Sequence, residues 1–174
     1  MALTVSEYLF EYLKDYVDTV FFVPGGGAMY LVDALGRSGL NHVSALHEQG
    51  AGYMALGYAM QTNGLGVCLV TSGPGATNAI TPCAAAWMDS VPVLFISGQV
   101  KSTTMIGDTG LRSRGGQEVD IYHIVHDIIK FGRTMKPGDD IKILMEMCID
   151  NCLSRRKGPC WLDIPMDVQN EELT

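Results

Sequence analysis

Residues 66–78 read GVCLVTSGPGATN. Gly66 to Thr71 is an apolar run with no polar alternation, the pattern of a strand buried on both faces. It passes into a glycine loop, SGPG (Ser72–Gly75), and then into a helix expected to reach about Met88. Val91 to Ser97 (VPVLFIS) repeats the pattern as a second buried strand. Unalternating strands joined by helical stretches indicate a parallel sheet covered on both faces.

Upstream, Thr4 and Glu7 have capping-box spacing, and Tyr8, Leu9, Tyr12, Leu13 and Tyr16 recur at helical intervals, predicting a helix from about Val5 to Val17. Thr19 to Val23 (TVFFV) is β-branched and aromatic, stops at Pro24, and runs into Gly25-Gly26-Gly27 before a helical stretch near Met29 to Leu35. A short strand over His42 to Leu46 and a helix over Gln49 to Met60 follow. Downstream of Ser97 we expect a polar loop from Gln99 to Gln117, a short helix near Val119 to His126, and a strand near Ile129 to Thr134. A helix from about Asp139 to Ser154 and a last strand from Cys160 to Ile164 complete the pattern. The expected architecture is therefore a three-layer α/β/α domain with a parallel sheet of about six strands. It spans residues 1–168, and the polar residues 169–174 read as a tail or the start of a linker.

Length and composition fit one such domain. The chain has 174 residues, 47% hydrophobic and 18% charged, so it has the apolar content for a core and lacks the signature of disorder. Twelve Lys and Arg against 19 Asp and Glu leave a net charge of −7, which argues against a nucleic-acid footprint. No stretch approaches the roughly 18 uninterrupted apolar residues of a membrane span, and the first fifteen residues carry acids where a secretory signal carries bases. We expect a cytoplasmic protein with no membrane contact. Five cysteines, Cys68, Cys83, Cys148, Cys152 and Cys160, are an odd number and read as buried core thiols. A zinc site on Cys148, Cys152 and Cys160 is the weaker alternative, because its spacing is unusual. His123 and His126 read as solvated or capped.

The glycine loops follow the first and third strands, at the strand ends where open parallel sheets bind ligands. Gly73, Gly75 and Asn78 come near a dinucleotide fingerprint, but the third glycine is Asn78 and no acid ends the next strand. No Walker lysine and no G-x-S-x-G elbow occurs, which removes P-loop and α/β-hydrolase chemistry. Glu48, in LHEQGAGYMALGYA, opens a helix rich in small residues. The residue types alone leave two readings open: a carboxylate complementing the helix dipole, or one with a chemical task at the lip of a tight element.

The ordered set FFVPGGG, LHEQGAGYMALGYA, VTSGPGATNAITP, DSVPVLFISGQV and QEVDI resembles the pyrimidine-binding domain of thiamine-diphosphate enzymes, the acetolactate synthase group in particular. The match runs from about Thr4 to Val168. The resemblance implies a six-stranded thiamine-diphosphate-binding fold and gives Glu48 the catalytic role of sharing a proton with N1′ of the aminopyrimidine, which activates the cofactor. It implies pyrimidine contacts for Pro24, Gly25, Thr71, Pro74 and Asn78, and substrate-side positions for Gln99, Gln117 and Lys130. The implied reaction is decarboxylation of a 2-oxo acid such as pyruvate, with transfer of the two-carbon unit to an acceptor.

One position departs from the family. Gly116 stands before Gln117-Glu118 where the family usually has phenylalanine, and Arg112 and Arg114 lie close by. An enlarged or more polar acceptor pocket, open to aldehydes or ketosugars, is the expectation. The family holds diphosphate and Mg²⁺ on a second domain through a GDG motif and paired asparagines. Gly107-Asp108-Thr109 and Gly138-Asp139-Asp140 are the nearest strings here, so no metal ligand is assigned to this chain; FAD enters by family resemblance only. The implied partners are a diphosphate-binding domain or subunit and a second copy paired through the same domain. The chain then reads as a piece of a longer synthase or as the small subunit of a split 2-oxo acid decarboxylase. A binding or assembly module without catalysis is the alternative from another class.

Overall fold

The computed structural model describes residues 2–173. Gly66–Val70 and Val93–Gln99 pair in parallel at the middle of the sheet as β3 and β4, and every residue of both is buried. Around them lie β1 (Thr19–Phe22), β2 (Asn41–Ser44), β5 (Phe131–Thr134) and β6 (Cys160–Pro165), in the order β2-β1-β3-β4-β6-β5 with every pairing parallel. The expected parallel six-stranded sheet is present.

The core lies in two parts, one on each face. One contains side chains of α1 (Val5–Leu13), α2 (Met29–Ser38), α7 (Ile141–Leu153) and α8 (Met166–Gln169). The other contains side chains of α3 (Glu48–Thr62), α4 (Pro74–Asn78), α5 (Ile80–Asp89) and α6 (Ile121–Val125). The capping box at α1 forms as predicted: Thr4 accepts from the Glu7 N–H, and the Glu7 carboxylate accepts from the Thr4 N–H at 2.9 Å. That helix ends at Leu13 rather than Val17. The helix expected after SGPG is broken into α4 and α5 at Ala79, since Pro82 has no N–H to carry the ladder through that turn. Strand β2 ends at Ser44, earlier than expected, and all four of its residues are exposed.

The polar residues after Val168 are tied to the start of the chain. The Val5 N–H donates to the Glu171 carbonyl at 2.9 Å, Leu173 N–H to the Leu3 carbonyl at 2.8 Å, and Ser6 Oγ to the Gln169 carbonyl at 2.8 Å. The Gln169 side-chain amide bridges the carbonyls of Gly27 (2.7 Å) and Ile164 (2.8 Å). All five cysteines are buried and unbridged. Burial pushes the thiols of Cys68, Cys83, Cys148 and Cys152 above the ordinary range, so they stay protonated and unreactive. His123 and His126 are exposed and face Asp120 and Asp127. Among the described residues no helix is long and apolar enough to cross a membrane.

A polar network sits inside the carboxyl end of the sheet. Asp163 on β6 is flanked in register by Ser97 on β4 and Thr134 on β5. Its Oδ1 accepts from Ser97 Oγ at 2.6 Å, and its Oδ2 from Gln99 Nε2 at 3.0 Å and Thr134 Oγ1 at 3.1 Å. Trp161 Nε1 donates to Ser97 Oγ at 2.9 Å, and its ring stacks on Phe95 with centroids 5.1 Å apart. Burial pushes the Asp163 carboxyl up to about 7, against the three donors that favour its charged form.

The folded chain therefore holds a proton that the unfolded chain releases. The associated stability is full below the ordinary carboxyl value and is lost as pH rises toward about 7. Its size is on the order of a few kcal/mol. Asp163→Asn mimics the protonated form, with Nδ2 facing Ser97 and Oδ1 accepting from Gln99 and Thr134. In urea unfolding at pH 5 and pH 8, the wild type should lose stability at the higher pH relative to the variant. Parallel behaviour of the two proteins would refute the assignment.

Candidate functional site

Strand order reverses between β1 and β3, because β2 is added on one side of β1 and β3 on the other. The crevice above their carboxyl ends is where such sheets bind ligands, and both glycine loops open into it. Thr71, at the end of β3, joins the two loops. Its Oγ1 accepts from the Gly27 N–H at 3.1 Å. A Cβ placed on Gly25 would lie 2.5 Å from the Thr71 side chain, and one on Gly75 would lie 2.6 Å from Thr71 Cγ2. Only glycine on either side lets the Pro24-Gly25 turn and the SGPG loop close on this threonine.

Glu48 enters from the neighbouring connection. Ala45 is buried at the end of β2, Leu46 is fully exposed, and His47 caps α3 by accepting from the Gln49 N–H at 3.1 Å. This places the half-buried Glu48 on the first turn of α3, beside the SGPG loop. Its Oε2 accepts from Asn78 Nδ2 at 2.9 Å. Its Oε1 lies 3.3 Å from the position a Gly75 Cβ would take and receives no hydrogen bond among the described residues. Cys68 lies close enough for the Glu48 charge to add to the rise in its thiol pKa. Glu48, Thr71, Gly25, Gly75 and Asn78 form one continuous surface, with Pro24 and Pro74 exposed at its rim.

The loop after β4 joins the same surface. Gly73, at a φ of 56°, approaches the Gln117 carbonyl so closely that a Cβ would sit 1.9 Å from that oxygen. Gln117 is itself left-handed at 61° and exposed. Behind it, Glu118 accepts from the N–H groups of Ile106, Arg114 and Gly115. Burial works against its charge, but these donors hold its pKa below the ordinary carboxylate value. A glutamate anchoring the loop from inside was missed in the sequence, although it directly follows Gln117. Arg112, Arg114 and Gly116 are exposed on this loop.

Two expected positions lie elsewhere. Gln99 is buried, with its amide on Asp163 and on the Val119 carbonyl at 2.9 Å; it supports the loop from beneath. Lys130 precedes β5 and so lies at the amino end of the sheet, away from the glycine loops. Its Nζ donates to the carbonyls of Asn151 and, at 2.7 Å, Ser154, at the end of α7. The structure does not bring it to Glu48.

The family described as "Thiamine pyrophosphate enzyme, N-terminal TPP binding domain" matches residues 3–124. The chain is similar to the acetolactate synthase of Mycobacterium bovis, 43% identical over 159 residues, which is 91% of this chain and 25% of that protein. It is similar to the acetolactate synthase large subunit of Corynebacterium glutamicum, 43% identical over 157 residues, 90% of this chain and 24% of the relative. The isozyme 2 large subunit of acetolactate synthase from Escherichia coli K12 is 42% identical over 153 residues, covering 88% and 27%. The chain spans about a quarter of the length of the curated relatives it matches.

Proposed function

The chain belongs to the family of N-terminal TPP-binding domains of thiamine pyrophosphate enzymes, and from that premise we propose that it is the pyrimidine-binding half of an acetolactate synthase-like enzyme. The observation that carries the reading is the Glu48 carboxylate, held by Asn78 through one oxygen while the other faces the glycine-lined surface.

The residues present suit a flat aminopyrimidine. Thr71 and the Gly25 and Gly75 backbones offer a close-packed wall without projecting side chains, and Glu48 offers a carboxyl oxygen for a ring nitrogen. Bound thiamine diphosphate supplies the carbanion chemistry for decarboxylating a 2-oxo acid and passing on a two-carbon unit. Glu48 holds the activating proton at Oε1, and Asn78 fixes the rotamer by occupying Oε2. The Gln117 loop, braced by Glu118 and Gln99, lies on the side we assign to the acceptor. Exposed Gly116, Arg112 and Arg114 favour an acceptor larger or more polar than pyruvate.

The diphosphate, its Mg²⁺ and any FAD are assigned to parts of the enzyme outside these residues. A surface for such a part adjoins Glu48: Leu46 is fully exposed, and Tyr53, Met54 and Met60 are exposed along α3. Solvent-facing apolar side chains of this kind mark interaction sites, here for a diphosphate domain or a second copy.

Calorimetry and product analysis test the reading. The 174-residue chain alone should bind thiamine diphosphate weakly. Joined to a diphosphate domain it should bind the cofactor in a metal-dependent manner and decarboxylate pyruvate. Products with aldehydes or ketosugars are expected beside acetolactate; acetolactate alone would overturn the enlarged acceptor pocket. Tight, metal-dependent binding by the isolated chain would overturn the division of the site between two domains.

A further inference from the structure

At the amino ends of the strands, opposite Glu48, a cavity of about 290 Å³ is lined by Trp87, Met88, Lys130, Arg156 and Lys157. We propose that this cavity binds a nucleoside monophosphate, with Trp87 taking the ring and the three cations taking the phosphate.

Each cation is set in place by a neutral partner. Lys130 lies along Gly158, where a Cβ would come within 3.0 Å of its Cδ, and its ammonium rests on the carbonyls ending α7. Lys157 donates to the backbone and side-chain oxygens of Asn63 at 3.2 Å each. Arg156 uses Nε on Ser90 Oγ at 2.7 Å, which leaves the two Nη groups for another acceptor. Asn63 and Ser90 are the left-handed residues ending α3 and α5. These partners are backbone carbonyl, amide and hydroxyl oxygens with no net charge, so they orient the three side chains without neutralising them.

None of the three forms an ion pair among the described residues. Three cations gathered on one cavity of a chain with net charge −7 form a local site for an anion. Phosphate oxygens accept from such groups through charge-assisted hydrogen bonds. The rest of the lining is apolar: an exposed indole and the exposed Met88 thioether. An indole face stacks on a flat ring, and a polarizable sulfur packs against one. The volume lies at the lower end of the roughly 300–1,000 Å³ usual for ligand pockets. That admits one ring system with one phosphate and excludes a dinucleotide.

The chain has two tryptophans, and Trp161 is fully buried, so a ligand in the cavity is read through Trp87 fluorescence. Titration of the full chain with AMP should change that fluorescence saturably, whereas adenosine and inorganic phosphate should each bind far more weakly. Trp87→Phe should remove the fluorescence change while calorimetry still detects AMP. Arg156→Gln combined with Lys157→Gln, two changes outside the core, should weaken AMP by about tenfold or more. The proposal is overturned by any of three results: no saturation up to about 10 mM AMP, adenosine or phosphate binding as tightly as AMP, or unchanged affinity in the double variant.

Discussion

Glu48→Gln, placed in an enzyme completed by a diphosphate domain, is expected to lower turnover by about 10² to 10⁴ fold, the usual worth of a positioned acid-base group. The substitution keeps the size of the side chain and keeps an oxygen for Asn78 Nδ2, which donates at 2.9 Å. It removes the proton-sharing carboxyl at the oxygen facing Gly75. Because α3 is capped by His47 rather than by Glu48, the fold should be unaffected and thermal unfolding should stay close to wild type. Steady-state kinetics alongside a melt separates the two effects. A turnover within a few fold of wild type, with cofactor bound, would remove Glu48 from the chemistry.

Trp161→Ala should be the most damaging change to the fold, costing about 3–5 kcal/mol. Trp161 is the largest fully buried side chain, stacks on Phe95 with ring planes 12° apart, and donates to Ser97. Truncation leaves a cavity between the sheet and the α3/α5 layer and removes one donor from the Asp163 network. Trp161→Phe keeps a ring against Phe95 and loses the N–H, so about 1–2 kcal/mol is expected. Denaturant unfolding of the two variants distinguishes packing from hydrogen bonding. Equal losses would mean that the indole N–H, not the ring, carries the stability.

The parts of the fold legible in the sequence are those whose signal is local. The unalternating run at Gly66–Val70 and the capping pair Thr4 and Glu7 each declare their structure within a few residues, and both form as read. That the two glycine loops stand at one end of the sheet was also legible, because parallel strands place such loops together; the association of Pro24, Gly25, Thr71, Pro74 and Asn78 with Glu48 came from the family resemblance. What was hidden depends on register between distant segments. Gln99 is drawn inward because β4 and β6 align Ser97 with Asp163, 66 residues apart, and no single stretch carries that alignment. The substrate-side role of Lys130 came from the family resemblance alone, and the contacts of its ammonium with the carbonyls ending α7 join segments more than twenty residues apart, which no local pattern reveals. Glu118 was passed over because a carboxylate satisfied by backbone donors leaves no pattern in residue types.

The clasp between Gln169 and the Gly27 carbonyl spans 142 positions of chain, and this gives the domain a timetable. At roughly 5–20 residues per second of synthesis, the first glycine turn leaves the ribosome roughly 7 to 28 s before the side chain that secures it. Strands β2 and β3, the neighbours of β1, emerge within that interval, but the turn after β1 has no clasp until it ends. The crevice at Glu48 is thus among the last features of the domain to be finished, and an early pause in translation would leave a chain that has its glycine turn but cannot yet present a formed site.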